Sequence, residues 1–164
     1  MQPNAIKPIL EGPGTKLNAD ISPDGRWLAY QSNEAGQFQI FVRPFPNVDA
    51  GRWQITTDQT GSDRPLWSRN GRELLYVTGR EGGDRTIMAV PIQTTPSFEY
   101  GKPTKLFTGR YSMPLAVRAF DVAPDGQKFL MIKIAQTVDP AAQTASAFIV
   151  LNWFEELKAR LPPL

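Results

Sequence analysis

Six polar residues at repeated positions are the side chains in this sequence best placed to bind a ligand: Asn18, Asp20, Asp63, Arg64, Arg118 and Asp121. Counted back from the glycines of three similar turns, these six residues occupy three repeated positions. The first position holds Leu17, Asp63 and Arg118, the second Asn18, Arg64 and Ala119, and the third Asp20, Leu66 and Asp121. Amides, carboxylates and guanidinium groups grouped in this way can bind a polar or charged ligand. They can equally hydrate a surface or pair with neighbouring strands, and the residue types alone leave both interpretations open.

The sequence lacks the side chains that most enzymes and metal sites use. It contains no histidine and no cysteine, which excludes Ser–His catalysis, thiolate nucleophiles, histidine-ligated zinc and disulfides within the chain. No segment has the alternating oxygen ligands of a calcium loop. The glycine-rich residues 79–84 lack the Lys-Ser/Thr ending and the following helix of a P-loop. We therefore predict no catalytic residue, no cofactor and no metal.

Charge and hydropathy narrow the choice of partners. Eighteen basic and sixteen acidic residues give a net charge of +2 without any run of Lys or Arg, so nucleic acid is not expected as a partner. No apolar run reaches the roughly 18 residues of a membrane span. Residues 1–14 carry one lysine and no long apolar stretch, unlike a secretory signal. The location stays open: cytoplasmic for a free-standing protein, extracytoplasmic for part of an exported parent.

Three turns of one type organise the chain. They are SPDG at residues 22–25, SRNG at 68–71 and APDG at 123–126. Proline at the second position presets φ, Asp or Asn bonds its own backbone, and glycine accepts a positive φ, so each predicts a hairpin turn. The turn glycines, Gly25, Gly71 and Gly126, recur at the spacing expected for a four-stranded repeat.

The segments around the turns repeat as well. A short apolar strand precedes each turn and a longer one follows it; a third strand recurs as IFVRPF at 40–45, IMAVPI at 87–92 and FIVLNW at 148–153. A more polar fourth strand closes two units, GRWQIT at 51–56 and KPTKLF at 102–107. Aromatic residues at equivalent strand positions predict packing between units, whereas Trp53, among polar neighbours, is predicted to be exposed.

These features resemble a known family. The SPDG turn, the apolar strand ending in Tyr30 and the IFVRPF strand resemble the TolB-like, WD-repeat-like β-propellers, and more narrowly the C-terminal propeller segments of some bacterial serine/threonine kinases. The resemblance covers roughly residues 16–157, and the LNWFEEL segment at 151–157 is similar to the natural end of those proteins. It implies an all-β, single propeller-type domain over residues 1–164. Its units, called blades, are expected at about 16–57, 61–109 and 116–153, with the first strand of each lining a channel.

The resemblance also implies a class of function. We expect a non-enzymatic interaction or scaffold module that binds a protein, a peptide or a small ligand at the propeller face or channel. One alternative is a sensory or regulatory half-propeller of a larger protein, such as a bacterial receptor kinase. Another is a propeller hydrolase or lyase, which the absence of histidine and cysteine disfavours.

Three blades cannot close a ring, because propellers have about four to eight. The third blade also lacks a fourth strand: apolar residues at helical spacing predict a short helix at about 153–161 instead. Residues 5–12 resemble a fourth strand and are either a loose terminus or a displaced strand. The chain is therefore part of a longer propeller or one of two copies in a six-bladed ring. The initial Met1 and the natural-looking end favour the homodimer, with each N-terminal strand completing the other copy's third blade.

Overall fold

The computed structural model describes residues 7–80, 82–114 and 117–133, and the strand at 146–150 by its backbone alone. Sheet 1 contains β1 (Lys16–Ile21), β2 (Trp27–Ser32), β3 (Gln39–Pro44) and β4 (Trp53–Gln54), in that order. Sheet 2 contains β5 (Ser62–Trp67), β6 (Glu73–Thr78), β7 (Arg85–Gln93), β8 (Glu99–Tyr100) and β9 (Thr104–Gly109). Sheet 3 contains β10 (Phe120–Val122), β11 (Phe129–Lys133) and β12 (Ser146–Val150).

All pairings within the three sheets are antiparallel, which confirms the all-β prediction. In sheet 2 the long strand β7 pairs with β6 along one edge; along the other edge it pairs with β9 over its first half and with β8 at its last two residues. A short 3-10 turn at Val48–Ala50 connects β3 and β4. The predicted C-terminal helix lies outside the described residues.

The SPDG turn joins β1 to β2 through its own side chains. Ser22 Oγ donates to Asp24 Oδ1 at 2.6 Å and accepts the N–H of Trp27 at 2.9 Å. The N–H of Gly25, at φ 72°, donates to the carbonyl of Ser22 at 2.8 Å. The second turn repeats these bonds with Ser68 and Asn70, whereas Ala123 in the third provides only the backbone bond.

Residues 7–14 form bends and no strand within the chain. The strand expected at 5–12 is one that pairs with a second copy, and residues 5 and 6 lie outside the described residues. Two prolines in this segment lack an N–H for a ladder, and Gly12 and Gly14 adopt φ of 103° and 75°, which is incompatible with an extended strand. Formation of that strand against a second copy stays a prediction.

The core consists of two layers between consecutive sheets. The layer between sheets 1 and 2 includes Ala29, Ile40, Val42, Ile55, Trp67, Leu74, Tyr76, Val90, Ile92 and Phe98. The layer between sheets 2 and 3 includes Leu66, Leu75, Val77, Ile87, Ala89, Met113, Ala119, Phe120, Val122, Phe129 and Met131. Sheet 2 thus uses one face against sheet 1 and the other against sheet 3, as stacked repeats do.

Trp53 is half-buried, so its predicted exposure is wrong. Its ring centroid lies 5.5 Å from that of Trp27 and 4.8 Å from that of Phe98. Phe98 belongs to the segment between β7 and β8 and crosses from sheet 2 to sheet 1. The contact joins residues far apart in the sequence, so the polar neighbours of Trp53 gave no sign of it.

Candidate functional site

A backbone irregularity recurs at the start of the first strand in sheets 1 and 2. The pairing register shifts between Leu17 and Asp20 in β1 and between Asp63 and Leu66 in β5. At the same repeat position, Asn18 and Arg64 adopt positive φ of 50° and 54°. Left-handed backbone is uncommon for residues other than glycine, and such bulges redirect side chains away from the regular alternation.

Arg64 uses this conformation to connect all three sheets. Its side chain is 1% exposed. Its Nε donates to the carbonyl of Val117 at 3.1 Å, and its Nη2 to the carbonyls of Met113 and Pro114 at 2.7 and 2.6 Å. These carbonyls belong to the connection that leads into sheet 3. Its backbone N–H donates to Gln31 Oε1 of sheet 1 at 2.7 Å.

Asp63 lies between two buried guanidinium groups. Its Oδ1 and Oδ2 accept hydrogen bonds from Arg85 Nη2 at 2.8 and 2.6 Å. Its Oδ1 also lies 2.6 Å from Arg64 Nη1, an ion pair without hydrogen-bond alignment. Arg85 is 4% exposed and donates from Nη1 to the carbonyl of Gly79. One carboxylate therefore faces two arginines, and the cluster has an excess positive charge.

This cluster forms one wall of a cavity of about 330 Å³ at the end of sheets 1 and 2 where β1 and β5 begin. The cavity is lined by Gln37, Phe38, Gln59, Thr60, Gly61, Ser62, Asp63, Arg64, Gly79, Arg80, Arg85 and Met113. Arg80 is exposed at its rim. Within the described part of the chain, Ser62 Oγ and Arg85 Nε are buried and make no hydrogen bond.

Asn18 in sheet 1 occupies the same repeat position as Arg64 in sheet 2, but its side chain is uncharged. Its Nδ2 donates to Gln31 Oε1 at 3.0 Å, the same oxygen that accepts the N–H of Arg64. Gln31 is fully buried between the two sheets. Neither Gln31 nor Arg85 is predicted from the sequence, because each lies on a strand whose pattern indicates only packing.

Asp20 joins sheet 1 to sheet 2 near the turns that follow β1 and β5. Its Oδ2 accepts the N–H of Trp67 in sheet 2 at 2.8 Å, and its Oδ1 lies 3.3 Å from Arg118 Nη2. Arg118 also donates to the carbonyl of Pro65 at 3.2 Å. Asp121, the counterpart of Asp20 in sheet 3, is exposed and accepts the N–H of its neighbour Val122 at 2.8 Å.

Asp20, Arg64 and Arg118 thus make contacts that join one sheet to the next, whereas Asn18 and Asp63 bond within their own sheets and Asp121 lies apart from the others. The structure brings Asp63 and Arg64 together at the cavity with Arg85, and it brings Asp20 and Arg118 together near the turns. Most of the contacts observed for these residues join one sheet to the next. Among the described residues, no cluster of acidic side chains could hold a metal ion, and no helix is long and apolar enough to cross a membrane.

Two ionisable groups near the cavity have shifted pKa values. Burial raises the pKa of Tyr76 to about 12, and the neighbouring Asp58 carboxylate adds to that shift. Burial opposes ionisation of Asp58 itself, but hydrogen bonds from Thr60 and Thr78 outweigh it and lower its pKa. The ionised Asp58 accepts from the Thr60 N–H at 2.8 Å and from Thr78 Oγ1 at 2.8 Å. The ionised carboxylate of Asp58 therefore fixes the loop beside the cavity.

Comparison with solved structures defines the class of fold. TolB from Acinetobacter baumannii superposes with a TM-score of 0.61 at 20% identity, over 79% of this chain and 29% of that one. A presumed TolB from Agrobacterium tumefaciens (TM-score 0.46, 24% identity) matches over 61% of this chain and 36% of its own. A presumed 6-phosphogluconolactonase from Bacteroides uniformis (TM-score 0.49, 15% identity) matches over 85% and 40%.

The chain therefore has a TolB-like β-propeller fold, on the evidence of the first of these structures. It spans less than a third of the length of that TolB chain. No protein-family model matches the sequence, and no curated protein matches it. A relationship to kinases, which the sequence pattern suggested, stays a prediction.

Proposed function

We propose that this chain is a non-enzymatic interaction module of the β-propeller type, which binds a protein, peptide or small ligand at the cavity beside β1 and β5. The observation that carries the proposal is the Asp63–Arg64–Arg85 cluster, a buried charged group at the wall of a cavity of about 330 Å³. Cavities of roughly 300 Å³ and more with a few fixed polar groups are typical binding sites.

The charges at this cavity favour an acidic ligand. Arg64 and Arg85 share the single carboxylate of Asp63, and Arg80 at the rim adds another positive charge. A cleft with one sign of charge and walls of low dielectric concentrates the field on a ligand of the opposite sign. A carboxylate of a peptide or protein segment is therefore the chemistry that this cavity suits best.

The residue types support binding rather than catalysis. Without histidine or cysteine, the chain has neither the usual general base nor a thiolate nucleophile. The aspartate at the cavity is already paired with two arginines. Both of its oxygens already accept hydrogen bonds from Arg85 Nη2.

Binding can be tested by NMR titration with a defined peptide, acetyl-tetraglutamate amide, in dilute buffer. We expect shifts of the amide signals of Gly61, Ser62 and Gly79, and a loss of affinity on adding salt, since screening weakens exposed charge pairs. Arg80→Gln should weaken binding about threefold to fivefold, in keeping with one solvent-exposed ion pair.

Arg69→Gln is the matched control, because Arg69 is an exposed arginine in the turn at the other end of sheet 2. It should bind the peptide as the unchanged protein does. Equal effects of the two variants, or equal binding of acetyl-tetralysine amide, would contradict an acidic ligand. Absence of any shift at the cavity with acidic, neutral and basic peptides would contradict peptide binding there altogether.

We also propose that the chain works as a homodimer. This proposal rests on a different observation, the exposed face of sheet 3.

A further inference from the structure

We infer that one face of sheet 3 binds the turn end of sheet 1 of a second copy of this chain, at the repeat positions where Asp20 of sheet 1 binds Trp67 of sheet 2 within the chain. This open face is defined by Asp121, Leu130 and Ile132. The inference rests on the proposed homodimer and assigns its contact surface. It is independent of the cavity and its ligand, which lie at the opposite end of the first strands.

The open face is equivalent to surfaces that are buried in the other two sheets. Counted from the turn glycines, Leu130 corresponds to Ala29 and Leu75, and Ile132 corresponds to Gln31 and Val77. The four counterparts in sheets 1 and 2 are at most 3% exposed, whereas Leu130 is 48% and Ile132 is 40% exposed. A large apolar residue outside a contact is ordinary, but two at positions that are buried in every other repeat indicate a missing neighbour.

Asp121 indicates what kind of neighbour is missing. Its counterpart Asp20 accepts the N–H of Trp67, the last residue of the first strand in the next sheet, at 2.8 Å. Asp121 is paired with Leu130 across the β10–β11 ladder, as Asp20 is paired with Ala29 across β1 and β2. An exposed carboxylate beside an apolar pair is therefore ready to accept the N–H at the end of another first strand.

Sheet 1 of a second copy supplies a matching strand end. The residue of β1 equivalent to Trp67 is Ile21, and its side chain is 47% exposed. Further along sheet 1, Tyr30 and Phe41 are already buried within the chain, with Arg52 4.4 Å from the Phe41 ring centroid. We therefore place the contact at the turn end, with Ile21 of the second copy against Leu130 and its N–H on Asp121. A two-fold axis forms this contact twice.

The mass in solution tests the inference. Light scattering on the unchanged protein should give twice 18.3 kDa at concentrations of tens of micromolar. Leu130→Asp and Ile21→Asp, each on one side of the contact, should both give a monomer with an unchanged circular dichroism spectrum, since neither side chain is buried in the chain. Gln127→Asp is the matched control: it adds the same charge to an exposed residue between β10 and β11, outside the open face, and should stay dimeric.

A monomer of the unchanged protein over the whole concentration range would overturn the inference. So would a dimer that survives Leu130→Asp or Ile21→Asp, because its contact would then lie elsewhere. Either result leaves the titration of the cavity free to support or contradict ligand binding.

Discussion

Sheets 2 and 3 carry the same kind of apolar face in two different environments. Leu75 and Val77 of sheet 2 lie in the layer against sheet 3, and they are 3% and 0% exposed. Leu130 and Ile132 occupy the same repeat positions in sheet 3 and are nearly half exposed. The pattern of a repeat thus specifies a face that needs a neighbour, and only the position of the repeat in the assembly decides whether the chain itself provides one.

The largest expected difference between the two faces is in the free energy of unfolding. Leu75→Ala should lower it by about 2–5 kcal/mol, because the substitution leaves a cavity in a closed layer. Leu130→Ala should lower it by less than about 0.5 kcal/mol at concentrations where the chain is monomeric, as an exposed side chain does. Urea denaturation of both variants measures the difference, and equal losses would contradict the assignment of buried and open faces.

A smaller difference in the free energy of unfolding is expected between the substitutions of Asp20 and Asp121. Asp20→Ala leaves the N–H of Trp67 without its acceptor at a contact between sheets, and should cost about 1–3 kcal/mol. Among the described residues, Asp121 bonds to its neighbour Val122, so Asp121→Ala should leave monomer stability within about 0.5 kcal/mol. Denaturant titrations of the monomer measure both effects. Equal losses of unfolding free energy would contradict the claim that Asp20 lies at a contact between sheets and Asp121 on an open face.

The last expected effect is the pH dependence of the unfolding free energy that comes from Tyr76, on the face of sheet 2 that packs against sheet 1. Its pKa in the folded protein is about 12, above the ordinary value of 10.0. The stabilisation is fully present below pH 10 and is lost as the pH rises towards 12, because the unfolded chain ionises first. The unfolding free energy should therefore fall over this range, and Tyr76→Phe should reduce the slope. A slope that Tyr76→Phe leaves unchanged would contradict the burial of this phenol.

The sequence predicted much of the fold because the turns carry local chemistry. Ser22, Asp24 and Gly25 form the turn through bonds within a few residues, so their types alone predict the hairpin. The same local reasoning placed Asp63 and Arg64 together, since they are adjacent in the chain. It could not identify Arg85 or Gln31 as their partners, because those contacts depend on pairing and packing over longer distances.

The predicted exposure of Trp53 was wrong because Phe98, from another sheet, covers its ring. The residues next to Trp53 in the sequence carry no sign of that neighbour. The bulges at Asn18 and Arg64 were also missed, since a positive φ at residues other than glycine has no clear signal in a single sequence.

The most direct test of the contact between open face and second copy uses engineered cysteines, which the natural chain lacks. One sample carries Asp121→Cys and another carries Ile21→Cys; they are mixed under mild oxidation and separated on a non-reducing gel. The account predicts a disulfide-linked band at twice the chain mass that forms in the mixture, forms much less in either sample alone and disappears on reduction. A mixture that shows no more linked product than the separate samples would contradict it.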